Sequence, residues 1–431
     1  MTAAGTSFPI ERFTLDNGLR VVVSPDHHAP VVAVVVLYDV GVRAEPAGRA
    51  GYAHLCEHLM FQGSERLPRH AYVRLVQGAG GRFRGSTHMD FTHYSVNLPV
   101  RALEQALYLE ADRMRGPVLT EANLRNQVAV VQEEIRTRVL NRPYGGFPWR
   151  QLAPVLFHRF PNTHDGLGSI EDLELTTVDR TEKFFQTYYV PANAVLAVVG
   201  DLDPDRTRQL VWRHFGDLPL RPPPPPPVLT EPDLARPRLG AVQDQLAPRP
   251  ALAVGWRVPD PIRELTGYLP YVVLADLLTG GPTGRLVRRL VMRERLATSV
   301  RCHLGFTDEP FGVRDPTALV LRVRLSASGS AERVLAAVDD ELATLAGGAL
   351  TDREVQQVRA RTVAGLLRDC DPVLERGLTI AVLELQRGQP ELLNCLPNLV
   401  SSVTTGDLAA AATLASSRQR AAVEVSASAG R

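Results

Sequence analysis

Lysine is nearly absent from this chain. Of its 48 basic residues only Lys183 is a lysine, and the arginines are scattered along the sequence. A GC-rich coding bias explains this; a phosphate-binding role would need the arginines clustered. Net charge is small as well, +1 at neutral pH, so nothing electrostatic points to nucleic acid or an acidic membrane surface. Long apolar runs are missing. The longest, VVAVVVLYDVG at 31–41, falls short of the ~18 residues a membrane span needs. It is rich in β-branched residues and reads as a buried strand. The opening residues, MTAAGTSFPIERF, show no basic segment followed by an apolar one, so no secretory signal is expected. Cysteine is scarce: Cys56, Cys302, Cys370 and Cys395 lie far apart with no Cys-x-x-Cys spacing. They suit reduced thiols in a cytoplasmic protein better than a disulfide framework.

The 431 residues are too many for one ordinary core and suit two domains. RPPPPPP at 221–227 marks the boundary. Prolines in a row enter neither a helix nor a central strand, and they form a stiff extended spacer. A proline-rich ligand for an SH3-type domain is the lesser alternative. The expected division is a first domain over 1–220, a linker over 221–230 and a second domain over 231–431.

The two halves look like distant copies. VLTEANLRNQVAVVQEEIRTRV (118–139) resembles ALTDREVQQVRARTVAGLLRDC (349–370), with Thr120 and Thr351 as expected helix N-caps. Each half then closes with a helix followed by a strand. In the first half FTLDNGLRVVVSPD (13–26) is a hairpin signal with Asn17-Gly18 at its turn. RAGYAHLCEHLMFQGS (49–64) and RALEQALYLEADRMRGP (101–117) have helical spacing, and FTHYSVNLP (91–99) reads as a strand. This order of hairpins, strands and helices predicts an α+β fold: two related domains, each a mixed, mostly antiparallel sheet flanked by helices.

HLCEH at 54–58 puts three polar groups into an apolar setting. On a helix, His54 and His58 project from the same face, the geometry for two imidazoles to hold one Zn²⁺. Glu57 lies between them in reach of an attacking water that zinc acidifies, and is suited to act as the general base. H-x-x-E-H is the inverted zinc-hydrolase motif. From five residues alone, ordinary helix histidines remain an open alternative. Hydrolytic zinc sites usually have three protein ligands, so a third is needed. Glu134 is the residue expected. It shares a heptad face with Gln127, and Val130 and Val131 sit one turn before it. A carboxylate on such a face is costly unless paired or bound to metal. Glu133 is rotated about 100° away, toward solvent. A surface glutamate pair is the alternative.

AHLCEHLMFQGSERLP, GGRFRGSTHMDFTHYSVNLP, ALYLEADRM, NQVAVVQEEIRTR, NRPYG and FFQTYYVPANAVLAVVGDLDP follow one another in this order. Together they resemble the pitrilysin / insulin-degrading enzyme / mitochondrial processing peptidase family, and its short bacterial members most of all. The resemblance runs from about residue 10 to 205; in the second half it is confined mainly to LLTGGPTGRLVRRLVMRERLATSV. It implies a zinc-dependent endopeptidase with one Zn²⁺ per chain. By matching motif His54, His58 and Glu134 would bind the metal, Glu57 would activate water, and Gln127 would stand where relatives have a supporting acidic residue. The resemblance also implies a catalytic zinc-binding first domain, a related non-catalytic second domain, and a chain that forms half of a clamshell around a peptide chamber. Arg84, Gly85 and Ser86 would lie on an edge strand that binds substrate by adding it as a further strand. Arg84 replaces the family's usual Asn and is expected either to bind a substrate carboxylate or the developing oxyanion, or to face solvent. His88 and His93 are expected to be structural, and Cys56 to be a small buried residue.

The second half has VAG (363–365) where the first has QEE (132–134), so it cannot repeat the metal site. The family often supplies an Arg and a Tyr from a second domain to the substrate carbonyl; here those places hold Val291 and Thr298, with Arg293 and Arg295 out of register. The resemblance therefore implies a related second subunit carrying the pair, in a heterodimer, or otherwise a homodimer. The leading expectation is a metalloendopeptidase for short or unfolded peptides, with leader-peptide removal as a narrower version. The alternatives are a non-catalytic scaffold subunit of a processing complex and a metal-storage module.

Overall fold

A computed structural model describes residues 7–416 and 419–427. It contains two mixed sheets flanked by helices. The first is built from β1 (Glu11–Thr14), β2 (Arg20–Pro25), β3 (Val31–Tyr38), β4 (Arg82–Thr87), β5 (Thr92–Pro99) and β6 (Ala194–Gly200), in the spatial order β1-β2-β6-β3-β5-β4. The second is built from β7 (Arg238–Asp244), β8 (Ala251–Arg257), β9 (Ala297–Leu304), β10 (Ala318–Leu325) and β11 (Arg420–Ala427), in the order β7-β11-β8-β10-β9. Among the described residues only β2/β6 and β7/β11 pair in parallel. Without β1 the two sheets have the same strand order and the same directions. The internal repeat is therefore one of topology, although few residues are shared.

Local signals read from sequence form as expected. The Asn17-Gly18 turn joins β1 to β2 with Leu15 and Leu19 hydrogen-bonded across it. Thr120 Oγ1 accepts from the Asn123 amide at 3.1 Å, and Thr351 Oγ1 from the Glu354 amide at 3.3 Å. Both threonines thus cap their helices, Glu121–Ile135 and Asp352–Asp369.

The first sheet is apolar on both faces. β3, VVAVVVLY, is buried from Val32 to Tyr38. Val32, Val34 and Val36 pack with residues of the helices Tyr52–Leu59, Leu103–Arg115, Val178–Tyr188 and Pro204–Phe215. Val35 and Leu37 pack on the other face, against Ile380, Ala381 and Leu383 of the helix Val373–Arg387. The second sheet is covered in the reciprocal way: the helix Trp149–Leu156 lies against β7, β8 and β11.

This exchange sets the compact units. One comprises the chain up to Glu133, Gly166–Pro227 and Leu367–Leu396; the other comprises Glu134–Asp165, Val228–Leu366 and the chain from Pro397 onward. One break, between Pro227 and Val228, lies within the span 221–230 assigned to the linker. The units differ from contiguous halves because each half lends a segment to the other half's sheet. The periodicity of Val373–Arg387 announces an amphipathic helix but carries no address for the face it covers.

A fragment ending at Pro227 should therefore not fold cooperatively alone, because one face of its sheet would be bare. Circular dichroism melting and amide NMR dispersion should show a collapsed, non-cooperative chain. Leu383→Ala in the full chain should cost about 2–5 kcal/mol in denaturant unfolding.

Candidate metal centre

The motif helix Tyr52–Leu59 starts at Gly51, whose backbone is left-handed with φ +96°. Its first amides are satisfied from outside the helix. Buried Glu45 accepts from the Gly51 amide through Oε2 at 2.9 Å and from the Ala53 amide through Oε1 at 2.7 Å. Asp172 Oδ2 accepts from the Ala50 amide at 2.9 Å. Glu45 thus caps the positive end of the helix, and Asp172 ties down the residue before it.

One turn along, His54 and His58 bring their Nε2 atoms to 3.2 Å, with the rings nearly perpendicular at 87°. Two nitrogens bound at ~2.05 Å to a tetrahedral zinc would stand about 3.3 Å apart. Glu134 completes the group: one ligand atom from each of His54, His58 and Glu134 lies within 4.8 Å of the others. No other cluster of three or more such side chains occurs among the described residues. Two imidazoles and a carboxylate form a donor set suited to zinc with a coordination position left for water. The residues present therefore fit the ion. Arg138, one turn beyond, holds Glu134 Oε1 at 2.6 Å.

The helix Glu121–Ile135 presents Leu124, Gln127, Val131 and Ile135 as its buried face. Gln127 is 4% exposed and lies two turns before Glu134. Glu133 is exposed, as expected, and so is Val130. The boundary between compact units falls between Glu133 and Glu134, inside this one continuous helix.

Glu57 is held by β4. Thr87 Oγ1 donates to Glu57 Oε2 at 2.7 Å. A Cβ at Gly85 would stand 2.9 Å from Glu57 Oε1 and 3.0 Å from the Phe61 ring, so only glycine leaves the carboxylate its place. Gly85 and Thr87 thus face the motif helix. Strand alternation turns Arg84 and Ser86 to the opposite face of the sheet. There Arg84 Nη2 lies 3.4 Å from Glu375 Oε1. The expectation that Arg84 binds the oxyanion does not fit, because an oxyanion would form on Glu57's side of the strand. Arg84 is exposed, as the solvent-facing alternative had it, and has an acidic neighbour. Ser86 pairs across the sheet with His93 on this far face, and Gly85 leaves room for the Glu57 carboxylate through its missing side chain.

His88 Nε2 and His93 Nδ1 lie 3.0 Å apart, and the His88 ring stacks on Phe91. Burial, then the neighbouring His88 and Arg84, hold the His93 imidazole well below its usual pKa. Cys56 is buried, and burial followed by the Glu45 charge pushes its thiol well above the normal range. In the second half, the stretch that includes Val291 forms a helical turn (Val287–Arg293), followed by β9. Thr298 Oγ1 donates to the Arg324 carbonyl at 3.3 Å, and Arg293 and Arg295 are exposed.

Sequence reasoning missed the groups that hold the motif helix in place. Glu45 and Asp172 sit in a loop and a short helix with no periodic signal. Arg113 was legible in principle, because it and Glu110 are charged residues three apart on an apolar helix face. Arg113 is ion-paired with Glu110 and lies over the rings of Phe61, Tyr72 and Tyr94 at 5.1, 4.8 and 4.3 Å. Tyr72 donates to Glu110 at 2.7 Å. This core packs behind the aromatic side chain that flanks Glu57.

Known proteins resemble this chain over most of its length. Residues 20–142 match the model of the insulinase family, peptidase family M16, and residues 176–362 match the peptidase M16 inactive domain. The chain belongs to the M16 family. A relative named zinc protease PqqE, from Helicobacter pylori, is 31% identical over 297 residues, which is 68% of this chain and 66% of that protein. The crystal structure of a protease from Helicobacter pylori superposes with a TM-score of 0.89 at 26% identity, covering 97% of this chain and 99% of that one. The periplasmic protease PqqL from Escherichia coli has the same fold, with a TM-score of 0.79 at 19% identity. The match covers 98% of this chain but 48% of that one, so this M16 chain spans about half of it. No helix among the described residues is long and apolar enough to cross a membrane.

Glu45→Ala strips the carboxylate from two buried amides at the start of the motif helix. It should lower stability by about 2 kcal/mol in urea unfolding. It should also weaken zinc binding in chelator competition, because both histidines ride on that helix.

Proposed function

We propose that this M16 chain is a zinc-dependent metalloendopeptidase that cleaves short or unfolded peptides, with one Zn²⁺ held by His54, His58 and Glu134. The observation that carries the reading is the convergence of these three side chains beside Glu57, whose carboxylate is fixed by Thr87 and Gly85. Bound zinc would lower the pKa of water toward ~7 and polarise the scissile carbonyl. Glu57 takes the proton from the attacking water and passes it to the leaving amine. Thr87 keeps the base in one orientation, so no rotamer search precedes proton transfer. Gln127, buried on the Glu134 face of its helix, supports the third ligand. β4 lies at the edge of its sheet and offers main-chain hydrogen bonds to an extended peptide, which favours unfolded substrates over particular sequences. Removal of a leader from a precursor peptide is the narrower form of this activity.

The partner is a related subunit that supplies the Arg and Tyr absent at Val291 and Thr298, in a heterodimer that closes as a clamshell; a homodimer is the other arrangement. A fold relative about twice as long as this chain supports the idea that one chain is half of the working unit. We place the protein in the cytoplasm, in keeping with its four free cysteines.

The test is cleavage of a mixture of unstructured peptides, read by mass spectrometry. Glu57→Gln should retain zinc and lose cleavage. A zinc-free wild type that cleaves nothing would instead favour a scaffold subunit, and cleavage undiminished by Glu57→Gln would refute Glu57 as the base. Thr87→Val should lower kcat about tenfold, since a hydrogen bond to a charged group is lost. Zinc content should be unchanged, and Thr87→Ser should restore the rate.

A further inference from the structure

We propose that Arg84 and Glu375 form a charge-reading subsite that selects acidic side chains in a peptide lying along β4. The inference rests on the peptidase reading above and names its substrate preference. Within the described residues β4 pairs with β5 alone, so its other edge is open to a further strand. The two faces of β4 have different occupants. Gly85 and Thr87 are engaged with Glu57. Arg82, Arg84 and Ser86 alternate with them and face the other way. A peptide added to β4 alternates in the same manner, so every second side chain comes beside Arg84, with Cβ atoms of facing residues about 4.5–5.5 Å apart.

The charges on this face set the preference. Arg84 Nη2 stands 3.4 Å from Glu375 Oε1, and the two side chains are 48% and 44% exposed. An ion pair this open is worth little and exchanges readily for another carboxylate. Glu375 lies in the first turn of the helix Val373–Arg387, where a negative charge is favoured whether or not Arg84 is beside it. Arg82 adds a second guanidinium, and His93, held well below its usual pKa, adds no charge at neutral pH. The strand itself is thus positive, and the acid that Arg84 meets, Glu375, is set back on a helix. A peptide carboxylate takes over the Arg84 guanidinium, and a peptide ammonium meets the guanidinium first.

The experiment uses pairs of fluorescent peptides that differ by Glu or Lys at one position, walked along the sequence. Binding to the zinc-loaded Glu57→Gln chain is read by anisotropy, and cleavage is read with the unmutated chain. The Glu peptide should bind about fivefold tighter than its Lys twin at positions of one parity. In the double variant Arg84→Glu, Glu375→Arg the preference should invert, with zinc content and melting temperature as folding controls. A preference that survives the exchange unchanged, or no preference at any position, overturns the proposal. Inverting preference without cleavage by the unmutated chain would uphold the subsite and overturn a self-sufficient peptidase, leaving turnover to the chain with its partner subunit. Cleavage without charge preference would do the reverse.

Discussion

A sheet that is apolar on both faces must be covered on both, and the first sheet of this chain finds cover for only one face in its own half. Val35, Leu37 and Val199 would face water without the helix Val373–Arg387. The second sheet has the same need and meets it with Trp149–Leu156. The reciprocal loan ties residues far apart in sequence into each compact unit. It also explains why strands that read as unbroken Val/Ile/Leu-type runs are stable here, since a strand with one solvated face would alternate.

The candidate metal centre depends on that two-sided sheet. One face carries the motif helix, seated on Tyr52, Ala53 and Cys56 in the core. At the sheet's edge, β4 reaches the same helix with Gly85 and Thr87. The other face carries Val373–Arg387, which brings Glu375 to Arg84. One strand therefore holds Glu57 on one side and carries the Arg84–Glu375 ion pair on the other. A buried histidine, a half-buried one and a half-buried glutamate would be costly in such a place without a shared cation.

Much of this was legible in the sequence, for physical reasons that can be stated. His54 and His58 are four apart, and helix geometry alone puts them together. Glu134 could be singled out because a carboxylate on the Gln127–Val131 face is anomalous. The caps at Thr120 and Thr351 and the turn at Asn17-Gly18 are local chemistry and needed no tertiary information. What was not legible is what the fold decides. Arg84 was assigned by motif position, but the parity of the strand put it on the face away from Glu57. Glu45 lies in a loop where nothing marks it as the cap of another element. The exchanged segments look the same in sequence whether they cover their own sheet or the other.

The central claim is that His54, His58 and Glu134 hold one zinc ion. It is tested most directly by crystallising the purified chain and recording anomalous diffraction on both sides of the zinc absorption edge, with metal content measured on the same preparation. The account predicts one equivalent of zinc and a single anomalous peak among the two Nε2 atoms and the Glu134 carboxylate. A zinc-replete crystal with no peak there, or with the peak at other residues, would contradict it.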